Sequence, residues 1–249
     1  MFISSAQVQY LGHVVSAGGI ECDPKLTSAV KSWPVPSDVK ALRKFLGFTG
    51  YFRRFIRDYA RLTAPLNHLL KGQVCGHGRS KKVIGRKPKN LGVAPVPWEW
   101  GEGQKKAFDI LKELLMSPPI LAYPDYNKPF VLQVDASGKG LGGVLCQKDD
   151  FGKLRVIAYG SRSLKLGERN YTTHKLEFLA LKWAVTQKFR DYLYGNKCLV
   201  VTDHNPLTNV LTTAKLDATG HNWLAAIGTF DLVIKYCPGK DNGLLLVWP

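Results

Sequence analysis

Two apolar runs each end on an aspartate. Phe130-Val131-Leu132-Gln133-Val134 leads into Asp135, and Leu199-Val200-Val201-Thr202 leads into Asp203. Glu177 lies in the first turns of a long helical pattern between them. If the two runs are neighbouring parallel strands, joined by a strand–helix–strand crossover, both aspartates emerge at one sheet edge, about 5 Å apart. Three acids meeting at one point repel each other unless cations hold them. The chemistry this implies is two-metal hydrolysis of a phosphodiester. One ion lowers the pKa of an attacking water and the other steadies the leaving oxygen. Mg²⁺, with Mn²⁺ as the alternative ion, prefers such oxygen ligands. No Ser–His or Cys–His nucleophile is then required. Each acid also has a plainer reading. Asp135 could cap the turn Ala136-Ser137-Gly138, although those small residues equally let a nucleic-acid backbone approach. Glu177 could be a solvated helix residue, but it neighbours the apolar Leu176–Ala180 face and can point along the sheet edge. His204, after Asp203, reads first as a loop residue.

The elements that must place these acids are legible as a series. Residues 126–249 read as three strands (129–135, 141–148, 154–160), a long helix over 173–193, a strand at 197–203, a short helix near 218–227 and a last strand at 231–236 in which Leu232, Ile234 and Tyr236 alternate inward. Lys148-Asp149-Asp150-Phe151-Gly152 supplies a hairpin turn. Upstream, a helix carries Gln104, Ala107, Phe108, Leu111, Leu114 and Leu115 at helical spacing and stops at Pro118-Pro119, forming a connecting helix over 98–125. Residues 72–97 hold Arg79, Lys81, Lys82, Arg86, Lys87 and Lys89 without an acid, which reads as a basic flexible insert. Cys75 and His77 within it do not make a metal site. Residues 1–71 open with a hairpin, Val14-Val15 then Ile20. A helix capped by Ser37 follows, with Leu42, Phe45 and Leu46 on one face and Gly47 and Gly50 interrupting it. Further helical stretches run over 51–59 and 66–70. Arg43, Lys44, Arg53, Arg54 and Arg57 interleave with Phe45, Tyr51, Phe52 and Phe55. With Lys81 and Lys82 they suit a nucleic-acid backbone with stacked bases; the plainer reading is a core helix pair with a solvated basic face.

Composition narrows the partner. The 249 residues, 45% hydrophobic, can fill more than one core. A formal charge of +16 suits a polyanion, nucleic acid before anionic membrane. No stretch has the length of a membrane span and the N-terminus lacks a signal pattern. The five cysteines are scattered and odd in number. That favours a reducing intracellular setting, cytoplasm and/or nucleus. The sequence assigns no oligomeric state.

Val134-Asp135-Ala136-Ser137, Asn170-Tyr171 with Lys175-Leu176-Glu177-Phe178-Leu179-Ala180-Leu181, and Val201-Thr202-Asp203-His204 resemble the ribonuclease H domain of Ty3/gypsy-type retrotransposon polyproteins. So do Leu216-Asp217-Ala218-Thr219-Gly220-His221 and Tyr236-Cys237-Pro238-Gly239-Lys240. The resemblance continues upstream through Tyr10-Leu11-Gly12-His13-Val14-Val15-Ser16, Gly19-Ile20, Asp23-Pro24-Lys25, Trp33-Pro34-Val35-Pro36 and Leu46-Gly47-Phe48-Thr49-Gly50-Tyr51-Phe52-Arg53-Arg54-Phe55-Ile56, which are similar to the end of the polymerase palm plus the thumb. It implies an α/β, RNase H-like five-stranded mixed sheet with flanking helices at 126–249, preceded by a small, mostly helical thumb-like region. It also implies Mg²⁺-dependent cleavage of the RNA strand of RNA–DNA hybrids, with Asp135, Glu177 and Asp203 as three of the family's acidic set. Two departures stand out. The polymerase's paired aspartates would lie upstream of residue 1, so the chain is not expected to polymerise DNA alone. Leu246 stands where a fourth Asp would fall, within the apolar run Gly243–Pro249, and Asp241 is five residues too early. The second departure opens an alternative: a catalytically impaired, nucleic-acid-binding remnant.

Overall fold

Short polar side chains start the helices. Asp23 Oδ1 accepts from Lys25 N, Asp38 Oδ1 from Ala41 N, Thr172 Oγ1 from Lys175 N and Asp217 Oδ1 from Gly220 N, each quieting an amide with no partner in the first turn. The second cap therefore belongs to Asp38, one residue after the expected Ser37. The computed structural model describes residues 7–73, 96–203, 207 and 217–238. The insert with Lys81 and Lys82, His204 and the segment around Asp241 and Leu246 lie outside the described residues.

The first unit begins with an antiparallel meander, β1 (Gln7–Tyr10), β2 (His13–Ser16) and β3 (Gly19–Cys22). The expected hairpin is β2–β3, with Ser16 opposite Gly19. Among the described residues five helices follow: α1 (Pro24–Lys31), α2 (Val39–Tyr51), α3 (Tyr59–Leu62), α4 (Ala64–His68) and α5 (Glu102–Met116). Helix α2 runs through Gly47 and Gly50 without a break. A Cβ at Gly47 would meet open space, while Gly50 admits the Tyr59 hydroxyl close by. The expected helix over 51–59 is instead a 3₁₀ turn, Arg53–Phe55, followed by α3, with Asp58 between them in the left-handed region at φ 49°. Helix α5 is more than a connector. Ala107, Phe108, Leu111 and Leu115 join Leu42, Phe45, Phe52, Phe55, Leu66 and Leu121 in one core, while Leu114 faces outward.

The second unit is a mixed five-stranded sheet in the order β6-β5-β4-β7-β8. Its strands are β4 (Phe130–Ser137), β5 (Gly140–Lys148), β6 (Leu154–Ser163), β7 (Cys198–Thr202) and β8 (Leu232–Tyr236). β4–β5 and β5–β6 pair antiparallel; β4–β7 and β7–β8 pair parallel. Helix α6 (Thr173–Trp183) covers one face, and α8 (Ala218–Ile227) packs beside it. The long helix expected over 173–193 is three pieces: α6, a π turn at Ala184–Lys188 and α7 (Arg190–Leu193). In β8, Leu232 and Ile234 pack on the core as expected, but Tyr236 is 48% exposed.

The sheet's two faces carry different cargo. Phe130, Leu132 and Val134 of β4 meet α6. Val131, Val144 and Cys146 face the opposite way, together with Val156 and Tyr159. These last two also pack on the first unit's core, so the units share a hydrophobic seam. Arg53 donates to Ser161 O (2.6 Å) and Ala60 N to Ser161 Oγ (2.9 Å) across it.

Candidate active site

The strand pairing places the acids. In the parallel β4–β7 ladder, Phe130 stands opposite Cys198 and Gln133 opposite Val201. Two residues further along the same register are Asp135 and Asp203, both at the carboxyl ends of their strands. The crossover between the strands includes α6, which lies on β4 and brings Glu177 to the same end. Glu177 Oε1 accepts from Ala136 N at 3.3 Å.

Electrostatics shows how crowded this end is. Glu177 is only 6% exposed. Burial, then the charges of Asp135 and Asp203, push its carboxyl up to about 8 against the pull of the Ala136 amide. Asp135 is exposed over the residue as a whole, but its carboxyl sits in a cleft. Burial raises its pKa first, followed by Asp58 and Asp203, while the Ala136 amide and Arg57 pull it down. Asp135 and Glu177 thus share one backbone donor. Glu177 Oε2 is buried without a hydrogen-bond partner, a costly state for a carboxylate oxygen in an apolar surround.

These donors suit a hard divalent cation: carboxylate oxygens, mutually repelling, one of them buried and unsatisfied. Asp135, Glu177 and Asp203 would hold it. Among the described residues, no three His, Cys, Asp or Glu side chains are already closed on one point at metal-holding distance. By strand alternation Asp135 shares the face of Val131 and Gln133, whereas Glu177 comes from the α6 side and meets it only at the strand's end.

The first unit supplies a neighbour the sequence did not reveal. A cleft of about 40 Å³ at the seam is lined by Asp58, Arg61, Asp135, Ser137, Ser161 and Arg162, room for about a water or two. Asp58 Oδ1 lies 2.9 Å from where a Cβ on Gly142 would stand, and Gly142 is the β5 partner of Asp135. Asp58 reaches this place through a left-handed residue and non-local packing, neither of which leaves a periodic signal.

The predicted nucleic-acid contacts separate. Arg43 donates to Gln73 O, and Lys44 stacks over Trp33 at 5.7 Å. Arg53 and Arg54 lie at the seam over Tyr59 and Phe55. Arg57 is turned toward Asp135, whose charge it favours. Base stacking on the interleaved aromatics is ruled out for three of them: Phe45, Phe52 and Phe55 are 0%, 1% and 2% exposed. They are core, and Tyr51 donates its hydroxyl proton to Leu11 O. Those three aromatics belong to the first unit's core.

A five-stranded mixed sheet with acids at the ends of its two parallel central strands and on the crossover helix defines an RNase H-like domain. The family model described as "RNase H-like domain found in reverse transcriptase" matches residues 100–200. Over nearly its whole length the chain is similar to one stretch of the Pol polyproteins of gypsy-type and other LTR retrotransposons. It is 41% identical over 237 residues to the retrovirus-related Pol polyprotein from transposon opus of Drosophila melanogaster, covering 95% of this chain and 22% of that relative. It is 38% identical over 237 residues to the corresponding polyprotein from transposon gypsy of the same organism, covering 94% and 21%. The chain therefore spans about a fifth of the length of these relatives. Among solved structures, the foamy viral protease-reverse transcriptase in complex with RNA/DNA hybrid shares the fold with a TM-score of 0.69 at 18% identity, over 98% of this chain and 30% of that one.

Proposed function

We propose that this chain hydrolyses the RNA strand of RNA–DNA hybrids as the ribonuclease H part of a reverse transcriptase polyprotein, with Mg²⁺ or Mn²⁺ as cofactor. The observation that carries the reading is Glu177: a buried carboxylate with an unpartnered oxygen, set beside Asp135 and Asp203 at the ends of parallel strands. The solved foamy viral relative with the same fold is in complex with an RNA/DNA hybrid, which supports the substrate class. When bound, a divalent ion would supply an activated water and charge stabilisation at the leaving oxygen. The chain's own part is to hold two strand-end carboxylates and one helix carboxylate at a common edge. The Ala136 amide holds Glu177, and the small residues Ala136, Ser137 and Gly138 leave room for a backbone. An intracellular setting, cytoplasm and/or nucleus, belongs to the same proposal; Cys22, Cys146, Cys198 and Cys237 are free thiols, as a reducing compartment would keep them. No described helix is long and apolar enough to cross a membrane.

The test is incubation with a labelled RNA–DNA hybrid and Mg²⁺ or Mn²⁺, alongside calorimetric titration of the ion alone. Cleavage that disappears in Asp135→Asn, with weaker ion binding and retained hybrid binding, is the expected result. Failure to cleave at any protein concentration removes the enzymatic reading. A second reading, a nucleic-acid-binding remnant without catalysis, is favoured by the donors not being closed on one point and by the charge of +16. It predicts salt-dependent hybrid affinity with no ion-linked hydrolysis.

A further inference from the structure

Lys188 has no role in the reading above. It ends the π turn Ala184–Lys188, where Phe189 N donates to Ala184 O. Such wide turns tend to occur where a helix serves something other than its own regularity. The Lys188 stem lies flat on β6: a Cβ at Gly160 would stand 2.7 Å from its Cγ and 2.8 Å from its Cε. The next residue of that strand, Ser161, receives Arg53 through its carbonyl oxygen. Strand β6 is an outer strand of the sheet and the Arg53–Phe55 turn and α3 pack along it, so both cations gather where the two units meet, Arg53 exposed and Lys188 half-buried. Arg54 follows Arg53 in the chain, and its Nε is buried without a hydrogen-bond partner.

Each of these cations rests on an aromatic ring: Arg53 over Tyr59, Arg54 over Phe55, Lys188 over Phe189, at 5.9, 5.8 and 5.8 Å. Among the described residues, none of the three is in an ion pair with a carboxylate. Their mutual repulsion is real. Burial first, then Arg53 and Arg54, hold the Lys188 ammonium below the usual lysine range. Three cations gathered without a salt-bridged carboxylate make a site that favours an anion. Guanidinium and ammonium groups together match phosphate oxygens in particular.

The register says which phosphate. Asp135 pairs with Gly142, and Gly142 pairs with Ser161. Two strand spacings separate the acid from the edge, about 10 Å. That is within reach of the next phosphate or two along the same backbone. We propose that Arg53, Arg54 and Lys188 form a phosphate site at the β6 edge, seating a nucleic-acid backbone phosphate one or two along from the one at Asp135. The spacing rests on the proposed function; the site itself does not.

The experiment measures affinity for a labelled RNA–DNA hybrid by fluorescence anisotropy, in chelator so that nothing is hydrolysed, over a range of salt. The full chain is compared with Lys188→Gln, Lys188→Arg and the pair Arg53→Gln/Lys188→Gln. The pair is expected to bind several-fold more weakly and to lose about two from the slope of log affinity against log salt, and Lys188→Gln alone about one. Lys188→Arg should retain both. If the pair does not melt cooperatively, Lys188→Gln decides alone, since its side chain is bonded to no carboxylate or carbonyl. Unchanged affinity and slope in a folded variant overturn the site. So does a variant that loses thermal protection by inorganic phosphate while binding hybrid normally, because that assigns the site to free phosphate. A slope change in a chain that never cleaves hybrid keeps the site and removes the nuclease; cleavage with an unchanged slope does the reverse.

Discussion

A glutamate in the second turn of a helix would ordinarily be solvated and ionised well below neutral pH. Glu177 is 6% exposed, and its carboxyl is pushed up to about 8 by burial and by Asp135 and Asp203. In the unfolded chain it returns to the ordinary value of 4.5. Between those values the unfolded state binds fewer protons than the folded one, so stability falls as pH rises from about 4.5 to about 8. Glu177→Gln should therefore stabilise the metal-free protein at pH 8, by about 2 kcal/mol after allowance for local relaxation. It should do nothing at pH 4, where Glu177 is already protonated in both states. Mg²⁺ should narrow the difference at pH 8 by binding the folded wild type. Urea midpoints in chelator at the two pH values check this; equal shifts at both would mean that Glu177 carries no buried charge. The three acids were legible because each sits at a boundary a pattern can mark: the end of an apolar run or the edge of a helical stripe. Asp58 and Lys188 were not, because Asp135 and Gly142 on one side and Gly160, Arg53 and Arg54 on the other lie far from them along the sequence and no local period reports them.

The elements show the same division. Strand and helix positions in the second unit follow from alternation and 3.6-residue spacing, and the β2–β3 hairpin from Ser16-Ala17-Gly18-Gly19. What was missed is a change of hydrogen-bond pattern inside an apolar stretch. At the end of α6, Phe189 N reaches Ala184 O and Phe189 is fully buried, lying 3.2 Å from a Cβ built on Gly143. Buried apolar residues keep recurring at spacings of four through that turn, at Val185, Phe189 and Leu193, so the sequence reads as one long helix. The glycines mislead in the other direction. Gly47 and Gly50 look like breaks but sit inside α2, whose face is held by Leu42, Phe45 and Thr49. Gly19 is the position where glycine is required. Its φ is 135°, and a Cβ there would stand 2.4 Å from the backbone oxygen of Leu121, the residue whose amide and carbonyl bond Ile20. Gly19→Ala should cost about 2–4 kcal/mol and loosen the meander from the segment after α5. Hydrogen exchange at Ile20 and Leu121 would report it. A melting temperature within a degree of wild type would contradict the geometry.

At the scale of the whole molecule, the question is whether the first unit and the RNase H-like sheet unfold together. Their cores are separate around Phe45 and Leu111 on one side and Phe130 and Val200 on the other. They are joined by Val156 and Tyr159, which pack on both the first core and the sheet's far face. The polar part of the seam turns on Ser161, 4% exposed, whose hydroxyl accepts from Ala60 N and whose carbonyl accepts from Arg53. Composition predicted that the chain could fill more than one core, but not that the cores would interlock, because that depends on which sheet face is left apolar. Ser161→Ala keeps the carbonyl contact and strands the Ala60 amide, at a cost of about 1–2 kcal/mol. If the seam couples the units, that loss lowers one shared transition. Trp98 and Trp100 pack on the first core and Trp183 and Trp223 on the second, so fluorescence from two versions of the chain, each keeping one of these pairs and carrying Phe at the other tryptophans, reports the two units separately. The two signals should then give coincident urea curves in wild type and variant, both displaced by the same amount. Curves that separate, with only one of them moved by Ser161→Ala, would show two independently folding units. The contact of Asp58 and Arg57 with Asp135 would then be too loosely held to influence the acid site.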